Sequence, residues 1–226
     1  QSLNRSLLER TGADSALEAR INSYELAYRL QTTAPELQEI DDESEATQKA
    51  YGLDQAQTQN FGRQCLMARR FIERGVRFVQ CTHSYKWDQH GGLRADHARN
   101  AMEVDQPIAA LLSDLKSRGL LDETLVLWGG EFGRTPVAQG DDGRDHNPQG
   151  YTMWLAGGGI QGGRSIGQTD DFSYNVVLDP VGIADINNTI LHCLGIDNNR
   201  LTVKFQGLDA RVTGVESFRL LKEFLA

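Results

Sequence analysis

The sequence predicts an α/β fold built on a mostly parallel sheet with an antiparallel edge. Three observations carry this expectation. Apolar residues recur at helical spacing in several segments, short β-rich runs follow two of them, and a glycine closes each of those helices before its strand. Helix, strand, helix and strand then alternate, an order that implies right-handed crossovers between parallel strands.

Residues 1–50 are polar and helical in character, and they read as belonging to the same domain as 51–226. Leu17, Ile21, Tyr24 and Tyr28 fall on one helix face. The chain opens within an amphipathic pattern, which suggests further sequence upstream. Pro35 and the acidic stretch 39–45 are expected to interrupt the helix, the stretch forming a solvated linker or helix end. Next, Phe61, Cys65, Ala68 and Ile72 form the stripe of a second helix that Gly75 ends. The β-rich run 76–81 follows, then His83 and a polar, aromatic loop.

A third helix is expected over 95–118, with Val104, Ile108, Leu111 and Leu115 inward and Gly119 closing it. Residues 124–128 read as a buried strand, apolar in succession. The segment 129–150 is too polar and glycine-rich for a crossover helix and reads as a loop. Strand 151–156 is therefore the one expected to run antiparallel. Ile183 opens a last core helix over 183–194, and 218–225 reads as a terminal helix. Gly157-Gly158-Gly159 lacks the Gly-Lys-Ser/Thr that would make a phosphate loop.

The chain has 226 residues and a formal charge of -8, with a pI near 5.1. That balance opposes binding to nucleic acid, whose phosphates it would repel. An anionic substrate stays compatible, because a bound cation reverses the local potential. Cys65, Cys81 and Cys193 are far apart and each sits in an apolar run, as buried free thiols do. No run approaches the roughly 18 apolar residues of a membrane span, and no signal segment opens the chain.

Polar clusters map to the carboxyl ends of the expected strands, where open α/β sheets bind ligands. They are Trp87-Asp88-Gln89-His90, Gly130-Glu131-Phe132-Gly133-Arg134-Thr135-Pro136 and Gly143-Arg144-Asp145-His146-Asn147-Pro148. Carboxylate oxygen with imidazole nitrogen suits a divalent cation. Such an ion polarises a phosphoryl or sulfuryl oxygen or activates a water. Arg134 and Arg144 are candidates to bind an anionic substrate through paired hydrogen bonds. Arg134 and Asp145 are also the candidates for a catalytic role. Blander roles stand beside these. Glu131 also suits capping a turn or pairing with Arg134, and Asp145 suits a loop salt bridge to Arg144. His83 lies near the same rim, His97 is expected at the surface, and His192 is expected to be structural.

Several words in the chain resemble one family. They are the run from Ala68 to Val79, Trp87-Asp88-Gln89-His90, the helix beginning Asp105-Gln106-Pro107-Ile108, and above all Gly130-Glu131-Phe132-Gly133-Arg134-Thr135-Pro136 and Gly143-Arg144-Asp145-His146. Trp154-Leu155-Ala156-Gly157-Gly158-Gly159 and the segment from Thr189 to Asp197 continue the likeness across nearly the whole chain. Together these resemble the domain-of-unknown-function family 1501, grouped with the sulfatase-like alkaline-phosphatase superfamily.

The resemblance implies a three-layer α/β/α alkaline-phosphatase-like domain, with 51–226 as its C-terminal half. It implies metal ligands at Asp88, His90, Glu131 and His146, and a divalent ion such as zinc, manganese, magnesium or calcium. The implied activity is hydrolysis of phosphate or sulfate esters, of small molecules or glycans, in the periplasm or cell envelope. A non-catalytic binding or scaffold role on the same fold is the alternative. The nucleophile would lie upstream, and strand 76–83 would pair with the missing half or another chain. The family often has histidine where Asn147 stands and within Asp185-Ile186-Asn187-Asn188, and Gly-Arg-Asp where Gly207-Leu208-Asp209 stands.

Overall fold

The computed structural model describes Ser6 and residues 15–84, 86–215 and 217–226. The predicted opening of the chain lies outside them. Helix α1 (Ser15–Gln38) continues through Pro35 rather than stopping there. The proline removes one backbone hydrogen bond of the ladder without ending the helix. Tyr24 and Tyr28 of the predicted stripe are exposed.

Helices α2 (Glu45–Ala50) and α3 (Gln59–Glu73) lead into the core, and α4 (Leu93–Ser117) packs along α3. Ile40, Tyr51, Phe61, Cys65, Leu66 and Val104 form one buried cluster, with Trp87, Ile108 and Leu111 against it. The sequence stripes of α3 and α4 thus face each other, as apolar faces of neighbouring helices do. Both helices end as expected. Gly75 (φ 83) and Gly119 (φ 70) take left-handed conformations, and the following N–H groups of Val76 and Leu120 reach back to Phe71 and Leu115.

The helix ends before the acidic stretch, most of which is exposed, but Glu43 is not solvated. Glu43 is nearly buried and bonds both Arg69 and Arg70 at 2.7 and 2.6 Å. Arg69 also holds Glu73 and Asp114 at 2.7 and 2.9 Å, and Arg70 holds Asp42 at 2.7 Å. A buried guanidinium demands such partners, because an unpaired charge away from water is costly. These contacts clamp residues 42–43 onto α3, and Arg69 in turn ties α3 to Asp114 of α4.

The expected mostly parallel sheet is absent among the described residues. Strand β1 (Val126–Trp128) pairs antiparallel with β4 (Trp154–Ala156). Between them, β2 (Gly133–Gln139) and β3 (Gly143–Asn147) make a second antiparallel pair. Two further hairpins follow: β5 (Gln168–Thr169) with β6 (Val176–Leu178), and β7 (Thr202–Phe205) with β8 (Leu208–Arg211). Among the described residues every sheet is two-stranded, which overturns the three-layer α/β/α alkaline-phosphatase-like expectation. A parallel crossover needs a first strand beside β1. The run 76–81 has β-prone composition, yet it forms no ladder, and Phe78 is 78% exposed.

Trp128 and Trp154 are cross-strand partners and stack with ring centroids 6.2 Å apart, the kind of pair that fixes register. Segment 129–150, read as a loop, is mostly the β2–β3 hairpin. Helix α5 (Ile183–Cys193) matches the predicted core helix. The terminal helix does not form beyond a short turn at Lys222–Phe224. There Leu225 pairs with Ile160 instead, and Ala226 N–H donates to Gly159. Among the described residues no helix is long and apolar enough to cross a membrane.

Candidate metal centre

The residues of the site come from a tight turn and from the β2–β3 hairpin. In the turn before α4, Gln89 N–H donates to Trp87 O and His90 N–H to Asp88 O. This curls the chain so that Asp88 and His90 turn to one side. The hairpin is fastened against this turn. Arg144 N–H donates to Gln89 O at 3.0 Å, and Gly92 N–H donates to Asp142 Oδ1 at 2.7 Å. Gly143 has to be glycine here, since a Cβ would stand 2.0 Å from His90 O.

Register then brings the candidate ligands together. On the hairpin Arg134 lies opposite His146. Both reach the same atom of the turn, Asp88 Oδ1: Arg134 Nη1 at 2.8 Å and His146 Nε2 at 3.0 Å. His90 Nε2 stands 3.0 Å from that oxygen and 3.1 Å from His146 Nε2. Asp88 Oδ1 and the two Nε2 atoms therefore form a nearly equilateral triangle.

Two bare imidazole nitrogens at that separation repel unless a proton or a cation lies between them. Divalent ions bind carboxylate oxygen and imidazole nitrogen at about 2.0–2.2 Å. Ligands of an octahedral ion with bonds of about 2.1 Å stand about 3.0 Å apart at adjacent corners, against about 3.4 Å for a tetrahedral one. The triangle has the spacing of an octahedral face, the arrangement of a two-histidine, one-carboxylate site with open positions. The donor set and its spacing fit a divalent cation.

Surrounding groups fix the ring faces. Gln139 Oε1 accepts from His90 Nδ1 at 2.5 Å, which leaves the Nε2 lone pair for the site. Phe132 packs on the His146 ring with centroids 4.3 Å apart. Arg134, hydrogen-bonding the carboxylate, holds Asp88 well below the usual carboxylate range, at about 2, with His146 adding to the effect. Beyond the turn, Trp87 Nε1 donates to His83 Nδ1 at 2.9 Å, and His83 Nε2 meets Glu103 Oε2 at 2.8 Å. That chain requires the proton on His83 Nε2, so His83 braces the turn and is no part of the triangle.

The remaining predicted residues fall outside the triangle. Glu131 is exposed and lies 3.7 Å from Arg134 Nη2, the blander of its two roles. Arg144 Nη1 donates to Gly143 O while its side chain lines the same cleft as Asp88, Arg134 and His146. Asp145 Oδ1 accepts from the backbone N–H of His146, which steadies the strand at His146 rather than facing the ligands. His97 is exposed and contacts Gln89 Oε1. The cleft, of about 1690 Å³, exceeds the roughly 300–1,000 Å³ of small-molecule sites.

Sequence reasoning missed Gln139 and His83 as supporting groups. Gln139, at the far end of β2 beyond a register shift between Arg134 and Ala138, meets His90 from a segment 49 residues away. The hairpin itself had a signal, the Gly140-Asp141-Asp142 turn between the paired Gln139 and Gly143.

Among family comparisons, the family described as "Protein of unknown function (DUF1501)" matches residues 1–225. The chain belongs to the DUF1501 family. No curated protein and no solved structure matches it. In this DUF1501 chain Asn147, Asp185 and Asn188 make structural hydrogen bonds. Asn147 is buried, donating to Tyr174 O and accepting from Gln149 N–H. Asp185 caps α5 through Gly182 N–H and takes Arg219 N–H, and Asn188 donates to Arg219 O. Leu208 and Asp209 lie exposed on the β7–β8 hairpin.

Proposed function

We propose that this DUF1501 chain carries the metal site of a hydrolase acting on phosphate or sulfate esters. The observation that carries the reading is the triangle of Asp88 Oδ1, His90 Nε2 and His146 Nε2. Asp88, His90 and His146 would hold the cation, with zinc, manganese, magnesium and calcium all admissible. When bound, the ion would polarise a phosphoryl or sulfuryl oxygen or activate a water.

The chain's own groups supply the rest. Arg134 orients the anionic ester from the strand facing His146, and Arg144 stands in the same cleft. Gln139 and Phe132 keep the two imidazoles aimed at one point. The substrate class is an anionic small molecule or glycan ester. A partner strand, from upstream sequence or from another chain, would add at the unpaired residues 76–83, and the setting would be the periplasm or cell envelope.

Metal analysis of the purified protein, repeated on D88A and H146A, tests the reading. Bound metal in the native chain, lost in both variants, supports it. Unchanged metal content in both variants removes it. Metal binding without chelator-sensitive turnover of phosphate and sulfate esters would leave a binding role on the same site.

A further inference from the structure

Arg134 occupies the oxygen that the cation needs. Its Nη1 lies 2.8 Å from Asp88 Oδ1, the same atom that closes the ligand triangle with His90 and His146. A guanidinium and a divalent ion both within bonding distance of one carboxylate oxygen repel each other and divide its charge. Arg134 also has somewhere else to go. Its Nη2 is 3.7 Å from Glu131 Oε1, and its guanidinium lies over the Phe132 ring, 5.4 Å from the centroid. Both neighbours belong to the loop just before β2, so a displaced Arg134 stays beside the site.

We propose, resting on the metal-site reading above, that Arg134 is the internal counter-ion of Asp88, displaced when a divalent cation takes Oδ1 and thereby made available to a tetrahedral oxyanion. Cation and oxyanion binding are then coupled through one arginine. The metal competes with the arginine, and the oxyanion claims it only after the metal has released it. Glu131, read from the sequence as a ligand, becomes the resting place of the displaced guanidinium. Coupling of this kind is reciprocal: whatever frees Arg134 helps the oxyanion, and whatever engages Arg134 elsewhere helps the metal.

Two calorimetric titrations of the full chain test this. In the first, Mn²⁺ is titrated into the native chain and into R134Q. Exposed ion pairs are worth little, so the expected gain is about two- to fivefold tighter Mn²⁺ binding in R134Q. Unchanged or weaker binding overturns the proposal. In the second, inorganic phosphate is titrated into chelator-treated native chain, D88A and D88A/R134Q. D88A should bind phosphate more tightly than the native chain, and the double variant should lose that gain. No gain in D88A, or a gain that survives in the double variant, also overturns the proposal, because only freeing Arg134 predicts both. A native chain that binds no Mn²⁺ sinks the metal-site reading instead, and the phosphate titrations then still decide whether Arg134 is the counter-ion.

Discussion

Asp88 and His146 stand 58 positions apart in the chain and meet with Oδ1 and Nε2 3.0 Å apart. One belongs to a turn before a helix and the other to a hairpin strand. Their meeting depends on the hydrogen bond from Arg144 N–H to Gln89 O and on the absence of a side chain at Gly143. The site is therefore only as well ordered as the seam between turn and hairpin.

Gly143→Ala tests that seam. The new Cβ would stand 2.0 Å from a backbone oxygen, which neither partner can relieve by a rotamer change. We expect a loss of about 1–3 kcal/mol in stability, typical of forced overpacking. Metal affinity should fall with it, since the hairpin must back away from Asp88. Thermal unfolding and metal titration of the same variant check both effects, and a variant with native affinity contradicts the role given to the seam.

Gln139→Leu tests the aim of His90. The substitution removes the acceptor at His90 Nδ1 while keeping a side chain of similar size. Partners that orient a ligating histidine are typically worth about 10–100-fold in metal affinity. Titration with Zn²⁺ or Mn²⁺ should show a loss of that order with little change in melting temperature. Equal affinity in variant and native chain would show that Gln139 does not orient the ligand.

Acid pH tests the clamp on α3. Burial pushes Glu43 up, but hydrogen bonds from Arg69 and Arg70 outweigh it and its carboxyl is lowered from the ordinary 4.5. Asp114 is likewise pushed up by burial yet lowered overall from 3.8, by Arg118 and Tyr51. Carboxyls that ionise more readily when folded stabilise the fold above their ordinary values, and this stabilisation is lost as pH falls through the lower folded values. The melting temperature should hold from pH 7 to about pH 5 and drop below about pH 4. Glu43→Gln should weaken that drop and lower the midpoint at pH 7, because Arg69 keeps its charge and loses a partner. An acid drop of equal size in Glu43→Gln contradicts the assignment.

The α3 and α4 stripes were legible because a helix writes its buried face into local spacing. Phe61, Cys65 and Val104 repeat at helical intervals and all lie in the core. The candidate ligands were legible as residue types at the ends of apolar runs, and Asp88, His90 and His146 do converge. Glu43 was misread because a charge run looks the same whether solvated or clamped. Only the fold brings Arg69 and Arg70 against it.

By itself, then, the sequence determined the core helices α3, α4 and α5, the glycines that end α3 and α4 and the chemical types available to a site, all of which depend on neighbours a few residues away. Tertiary structure alone decided strand pairing, the antiparallel hairpins and which three of the four candidate ligands come together. Backbone hydrogen-bond partners in a sheet are chosen across distance, and composition does not encode the choice. The run 76–81 is as β-prone as 126–128, yet only the latter found a partner. The same holds at Asp88 Oδ1, where residues from two distant segments compete for one oxygen.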